Sequence, residues 1–477
     1  MKKLARNYLY NITYQLFIII VPLVTAPYLT RVLSANAIGT YDYVISITGL
    51  INSFGTLGLD SYSYRQIAYV RGDRKATERE FSRLYYLRCI LFGIMSFIYL
   101  PIIIFHSEFS IYFLIQYIWL IGMFLDFGWM FIAHEDMGIV TLQNFVAKLI
   151  TVLGIFLFIK SDKDLWIYFT LNAGSLFVTT IVALPILFRY TSFKKVHFGD
   201  IMAHIPMTIK LFLPQIAVNL YLQIGKILLN QLTGDTSQVA YYSYAEKIIN
   251  IPLGFITALG VVMMPRMANL HSNNKNEELN RYLCLTLQFA SLVSIPLFFG
   301  LISVSSQFIP WYLGDKFSVV SNIIILLSPV ILLSPLNNIF GGQYLTAKNI
   351  TKILIIAGIS AAILNVSINI ALIPILGYTG TAIAMVATMF CEVSIQFYAV
   401  QKQVNLKSIF KPILKNLISG ILMFVCLLLF RRFLNNTPMS TLILVSVGVV
   451  VYLLMNICLK DELILSVIQR IKVKGKL

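Results

Sequence analysis

A run of about 20 apolar residues is long enough to cross a hydrocarbon core of roughly 30 Å as a single helix. This chain carries such runs along its whole length. Fourteen can be placed, at roughly 12–33, 37–59, 84–106, 109–132, 138–159, 165–188, 210–232, 239–264, 281–304, 318–340, 351–374, 378–400, 411–430 and 438–459. In lipid each backbone N–H and C=O needs a partner from its own segment, so runs of this length fold as helices. The fold class that follows is all-α and integral to a membrane. Composition agrees: of 477 residues, 58% are hydrophobic and only 12% charged, against about 25% charged in a soluble globular chain.

The net charge is +17. On a soluble chain that excess would suggest nucleic acid, but here its distribution has a different meaning. With fourteen spans, both termini and alternate loops share one side. Twenty-five lysines and arginines outside the spans or at their ends fall there, in the N-terminus, 60–83, 189–210, 265–281, Lys348, 401–411 and the tail. Six fall on the other side: Arg31, Lys160, Lys163, Lys316, Arg431 and Arg432. Basic residues accumulate on the cytoplasmic side of a membrane, so both termini are expected in the cytoplasm and no nucleic acid is expected as partner. The basic start before the first apolar run has the look of a signal peptide. The run is too long for one and more spans follow, so it reads as a retained first helix.

The loops exclude several classes of function. Those opposite the basic side are a few residues long, with no room for a catalytic domain. The longest hydrophilic stretches, 60–83 and 189–210, read as loops of about 20 residues. No nucleotide-binding G-x-x-x-x-G-K-[ST] loop occurs. The five cysteines, Cys89, Cys284, Cys391, Cys426 and Cys458, have neither paired nor metal-binding spacing and read as small buried hydrophobes. Neither an enzyme nor a cofactor or metal is expected.

A weak internal repeat organises the chain. Leu33, Tyr41-Asp42-Tyr43, Leu57-Gly58 and Arg65 recur in order as Leu232, Tyr242-Ser243-Tyr244, Leu259-Gly260 and Arg266, at offsets between 199 and 202. The expected division is a lobe of six helices over 1–205, a second of six over 206–405, and a helix pair with a basic tail over 406–477. Six is even, so the repeats run parallel. Pro22 and Pro27 in the first span and Pro214 in the seventh are candidate bending points.

Charge at mid-span is costly, about 2.5–3.5 kcal/mol on insertion scales, so the few intramembrane charges carry information. They are Arg88, Asp126, Lys148, Lys226, Glu246, Lys247 and Glu392. Asp42, Lys352 and Lys415 lie near span ends and read as snorkelling, a reading open to Arg88 too. Lys226 belongs to a stripe of Gln215, Asn219, Gln223, Lys226 and Asn230, at steps of three and four that share one helical face. Lys148 has a similar stripe with Asn144 and Thr151. Two readings fit these lysines: buried ion pairs with Asp126, Glu246 or Glu392, or a cationic wall facing a hydrated cavity. Thr388, Glu392 and Gln396, and Asn365 with Asn369, also fit a lined cavity. For the asparagines alone, interhelical hydrogen bonds are the simpler reading. A carboxyl at depth has a raised pKa and can exchange protons, which makes Glu392, then Asp126, with Glu246, candidates for ion coupling.

NYLYNITYQLFIIIVPLVTAPYLTRVLSANAIGTYDYVISITGLINSFGTLGLDSYSYRQIAYVRGD, residues 7–73, resembles the N-terminus of Wzx-type polysaccharide flippases of the multidrug/oligosaccharidyl-lipid/polysaccharide exporter superfamily. LFLPQIAVNLYLQIGKILLNQL and YYSYAEKIINIPLGFITALGVVMMPRMA resemble the start of that family's second half, and NVSINIALIPILGYTGTAIAMVATMFCE its eleventh and twelfth helices. The family often has an acidic residue before the basic one of the seventh helix, where this chain has Gly225. The resemblance implies a MATE-like architecture of fourteen helices in two lobes around a central cavity that opens alternately to each side. It implies an undecaprenyl-diphosphate-linked oligosaccharide as substrate, flipped across the bacterial cytoplasmic membrane for capsule, exopolysaccharide or O-antigen assembly. Expected partners are membrane lipids, a polysaccharide polymerase and chain-length machinery. On this reading Lys226, Lys148, Arg88 and Lys247 meet the diphosphate, and Gln215, Asn219, Gln223 and Asn230 meet sugar hydroxyls. A lipid II flippase and a cation-coupled multidrug antiporter of the same superfamily are the alternatives. The basic excess within the spans disfavours the antiporter.

Overall fold

The structure, a computed structural model, describes residues 17, 20–401, 406–461 and 463–465, with the side chains at 214–215, 255, 257–262 and 406–409 outside that description. Among the described residues the chain is helical, without strands. The first helices are α1 (Ile20–Val32), α2 (Ala35–Thr56), α3 (Leu59–Val70), α4 (Arg74–Phe105), α5 (Ser110–Phe124), α6 (Gly128–Ala133), α7 (Met137–Phe158), α8 (Leu165–Leu187), α9 (Phe198–Met202) and α10 (Ile205–Thr233). They are followed by α11 (Thr236–Ser272), α12 (Asn276–Leu313), α13 (Val320–Leu327), α14 (Val330–Asn337), α15 (Thr351–Leu376), α16 (Tyr378–Val400), α17 (Leu406–Arg431) and α18 (Pro438–Cys458). The chain forms two compact units, Met1–Ala240 and Tyr241–Leu477.

Nine helices among the described residues are long and apolar enough to cross a membrane, or up to eleven if each of two bent pairs is one span. Each expected span falls on helical chain, the first for its described part. Large apolar side chains point outward: Phe97 is 81% exposed, Ile104 75% and Ile375 79%. A soluble surface does not carry such continuous apolar area, and lipid covers it at no cost. Contrary to expectation none of the five cysteines is fully buried, and Cys458 is exposed.

The stretch 60–83 is not the loop that its polarity suggests. Gly58 and Leu57, both in the left-handed region at φ 71 and 45, end α2 and start α3. After a turn of three residues, Asp73 caps α4 by accepting from the N–H groups of Lys75 (2.9 Å) and Ala76 (3.4 Å). The 32 residues of α4 extend about 48 Å at 1.5 Å per residue, well beyond the hydrocarbon core, so its charged first turns project from the membrane. Those charges pair locally. Arg83 reaches Glu80 (3.3 Å) and Asp200 (2.9 Å), Lys194 reaches Glu78 (3.3 Å), and the Tyr62 hydroxyl meets His204 Nδ1 at 2.8 Å. Beneath them Phe81, Leu84, Leu87, Phe131, Leu187 and Ile201 form the core of this basic end.

The internal repeat has a structural counterpart. Tyr41 and Tyr242 are each the seventh residue of their helix, α2 and α11, and Tyr41, Tyr43, Tyr242 and Tyr244 are all buried. The repeats diverge further on. Where Leu57-Gly58 breaks the first, α11 continues through Leu259-Gly260. Glycine also sets a close approach at the start of α2: a Cβ at Gly39 would collide with the Thr236 carbonyl oxygen. The Thr236 hydroxyl donates to the Asn36 carbonyl (3.1 Å) beside it, fastening the start of α11 to α2.

In unit 2, α13 and α14 with their extensions form an apolar helix pair bent by 49°. Pro329 at the bend has no N–H to donate, and a π-helical turn, Asn338–Leu345, follows. α15 and α16 pack as an antiparallel pair joined at Gly377, whose φ is 56. α12, α17 and α18 pack around Val304, Met423, Leu427, Leu444 and Tyr452.

Candidate functional site

Within unit 1 a cavity of about 290 Å³ lies among α2, α5, α7 and α8. At about 30 Å³ per molecule it holds roughly ten waters. α2 contributes Tyr41, Ile45, Thr48 and Gly49, α5 contributes Gln116 and Trp119, α7 contributes Asn144, Ala147, Lys148 and Thr151, and α8 contributes Asn172, Ser175 and Leu176. The spacing explains the placement, because residues three, four, seven and eight apart share one helical face. Lys148 lies ten residues before Phe158, the end of α7. That is about 15 Å along the axis, half the depth of a hydrocarbon core.

The polar groups of this wall divide into two sets. Thr151 Oγ1 donates to the Ala147 carbonyl (3.0 Å) and meets Ser175 Oγ at 2.9 Å. Thr48 meets the Tyr99 hydroxyl at 3.1 Å, and Asn172 Nδ2 donates to the Tyr168 carbonyl (3.0 Å). These groups are satisfied within the protein. The second set is not. Gln116 is 2% exposed and its Nε2 has no acceptor among the described residues. Among the described residues, no hydrogen bond or ion pair engages the side chains of Trp119, Asn144 or Lys148, and Lys148 is accessible from the cavity. Among the described residues, no carboxylate lines the space. The wall therefore offers an ammonium, two amides and an indole N–H, which is the complement of a ligand rich in acceptor oxygens and negative charge.

The other expected residues lie elsewhere in their units. Arg88 is buried, not snorkelling. It donates to Asp60 Oδ1 (2.8 Å) and to the Met123 carbonyl (2.7 Å), beside a void of about 20 Å³ that Asn52 and Thr56 also line. Asp126 stands in the break between α5 and α6 and accepts from the Gly128 N–H (2.9 Å). No ion pair joins it to Lys148 among the described residues. On α10, Lys226, Asn219, Gln223 and Asn230 are half-buried, Asn230 lies within hydrogen-bond reach of the Tyr43 hydroxyl, and the Gln215 side chain is outside the described residues. In unit 2, Lys247 is exposed over the Tyr244 ring at 5.0 Å, Glu246 is half-buried, and Glu392 is buried on α16. Asn365 Nδ2 donates to Thr388 Oγ1 (2.9 Å), Asn369 to Asn365 Oδ1 (2.9 Å), and Gln396 to Asn337 (2.8 Å). Among the described residues, no group of three or more acidic, cysteine or histidine side chains could hold a metal ion.

Sequence reasoning did not single out Gln116 and Trp119. Their three-residue spacing within YFLIQYIWLIGMF was the available signal, Gln116 being the one amide in that run.

A family model described as "Polysaccharide biosynthesis protein" matches residues 4–271, and one described as MatE matches residues 211–371. A "Putative O-antigen transporter" of Shigella dysenteriae is 25% identical over 306 residues, 62% of this chain and 74% of that protein. A protein of the same name from Escherichia coli (strain K12) is 23% identical over 397 residues, 81% and 94% of the two chains. Among solved structures, a lipid II flippase MurJ in an inward closed conformation superposes with a TM-score of 0.71 at 17% identity, covering 95% of this chain and 99% of its own. An inward-facing MATE-family multidrug transporter of the MOP superfamily superposes at 0.61 with 16% identity, covering 81% and 98%. At these identities the structures speak to fold alone, and the fold is MATE-like. With more than half of its length matched by the family model, this multi-pass membrane chain is a non-enzymatic transporter that belongs to the polysaccharide biosynthesis protein family, of Wzx type within the MOP superfamily.

Proposed function

We propose that this protein flips an oligosaccharide repeat unit, carried on undecaprenyl diphosphate, from the inner to the outer leaflet of the bacterial cytoplasmic membrane. The product feeds capsule, exopolysaccharide or O-antigen assembly. One observation carries the reading: a mid-depth cavity with an accessible Lys148, unpartnered donors and no carboxylate in its lining. A diphosphate crossing lipid loses its hydration and needs cations at depth. The relatives named as O-antigen transporters support the same substrate class. A pump for cationic drugs would want carboxylates in the cavity, and among the described residues none lines this one. Transport proceeds by alternating access, with one lobe over 1–205, a second over 206–405, and the helix pair and tail over 406–477 beyond them. Both termini face the cytoplasm, and a polymerase with its chain-length machinery receives the product outside.

The test is polymer export in a strain lacking its own flippase, read beside membrane abundance. Lys148→Ala should lower export at least about tenfold, the scale of losing a charge-assisted contact, with abundance within about twofold of wild type. Lys148→Arg should keep part of the export, because the charge survives although the geometry changes. Full export by Lys148→Ala would overturn the reading.

A further inference from the structure

The unpartnered donors of unit 1 are more than a diphosphate needs. A phosphate site in a helical wall is built from cations and small donors. An indole adds nothing specific to it. We propose that the α5 side of this cavity is a sugar subsite, with Trp119 as the stacking platform and Gln116 and Asn144 as hydroxyl readers. It would hold the sugar attached directly to the diphosphate at Lys148, and it makes α5 and α7 determinants of which repeat unit is accepted. The inference rests on the proposed substrate class and deepens it.

Four observations support the assignment. Trp119 is half-buried and lines the cavity, so part of its ring faces open space. A pyranose has one face of C–H groups and a rim of hydroxyls, and an aromatic plane with nearby amides complements both. Gln116 is almost fully buried and leaves Nε2 without an acceptor. A glutamine that lines the cavity with its Nε2 open is placed to donate to an acceptor that enters it. Asn144 stands one turn from Lys148 on α7, so a group it touches is adjacent to the group the lysine touches. Finally, the wall is stiff where it needs to be. Tyr41 packs on Tyr168 with ring centroids 4.1 Å apart, which fixes the α2 side.

Size assigns the position along the glycan. About 290 Å³ lies at the lower edge of the roughly 300–1,000 Å³ usual for small-ligand sites. That is room for one ring beside a phosphate, and not for a repeat unit of several sugars. Specificity therefore falls on the first sugar, with later residues outside this space.

The experiment uses the full-length protein in lipid nanodiscs and two kinds of probe. One is a short-chain prenyl diphosphate. The other is the same lipid bearing a single glucose, galactose or N-acetylglucosamine. Calorimetry gives both constants, and their ratio, which cancels general damage to the fold, is the readout. Wild type should prefer at least one sugar-bearing probe by roughly tenfold, the low end of what one good pocket contact discriminates. Trp119→Ala should reduce that ratio to about one, Trp119→Phe should keep most of it, and Gln116→Leu should reduce it in part. Lys148→Ala should weaken both probes alike and keep the ratio. A ratio unchanged by Trp119→Ala, or a wild type that prefers no sugar-bearing probe, overturns the subsite. In either case Lys148-dependent binding of the bare diphosphate leaves the proposed substrate class standing. A wild type that binds neither probe overturns both.

Discussion

In unit 1, Gln116, Trp119, Asn144 and Lys148 leave donors unused beside a cavity of about 290 Å³. In unit 2, Asn365, Asn369, Thr388, Gln396 and Asn337 bond to one another across α14, α15 and α16 and are nearly all sealed from solvent. Beside these bonds the amide oxygens of Gln343, Asn369 and Gln396 are left over, and the void beside Gln343 is about 10 Å³, barely one water. Both sets look alike in sequence, as polar residues at helical spacing within apolar runs. The difference lies in the neighbours. A polar side chain in a span is glue when a facing helix supplies its partner, worth about 0.6 kcal/mol on average and up to about 1.7. It is a site when the facing helices stand apart.

The contrast breaks most visibly at Arg88, a cation of unit 1 that behaves like the residues of unit 2. Its guanidinium is held by Asp60 and the Met123 carbonyl. Removing one partner of a buried pair costs about 3–5 kcal/mol, less here because the Asp60 side chain is 48% exposed. Arg88→Met should therefore lower membrane abundance severalfold, and export should fall only in proportion. Normal abundance of Arg88→Met with export abolished would move Arg88 into the same class as Lys148.

Lys226 tests the contrast on α10, which runs beside α2 in unit 1 and carries the densest polar stripe of the chain. We expect Lys226→Ala to leave abundance within about twofold and to lower export severalfold, with Lys226→Arg intermediate, as for a cation that meets substrate charge. A collapse in abundance would instead mark the α10 stripe as structural glue, and unit 1 would then hold both kinds of polar residue in comparable number.

The spans were legible because lipid exposure is written in hydropathy, and α7, α8, α15 and α18 begin and end within a few residues of their apolar runs. Helicity outside the bilayer was not legible in the same way. Arg74, Glu78, Glu80 and Arg83 read as a loop by polarity, yet they form the first turns of α4, where they pair with each other, with Lys194 and with Asp200. Nor does polarity reveal the left-handed break at Leu57-Gly58, since the matching Leu259-Gly260 continues as helix. At the candidate site, Lys148 stood out because a mid-span charge is costly whatever surrounds it. Trp119 is costly nowhere, so its significance rests on the open space in front of it, and that space depends on four helices distant in sequence.

The smallest expected effect is in unit 2, and it bears most directly on the comparison. Asn365 and Asn369 are at most 1% exposed, and Asn365 joins α15 to Thr388 of α16. If this link only holds helices together, Asn365→Leu removes one interhelical hydrogen bond, about 0.6–1.7 kcal/mol. For a unit of this size that corresponds to a fall in Tm of about 2–4 °C per kcal/mol. Export per molecule should stay within about twofold of wild type. Thr388→Val should cost no more, since it removes the other end of that bond and leaves the Asn369–Asn365 bond in place. The pair Asn365→Leu/Thr388→Val should cost little more than either single change, because partners in one bond are not additive. Thermal unfolding in detergent, with export normalised to abundance, measures all three variants. Additive losses would mean that the two residues do not share the bond between α15 and α16. An export defect in Asn365→Leu at unchanged Tm would mean that unit 2, like unit 1, keeps its amides for something that passes through.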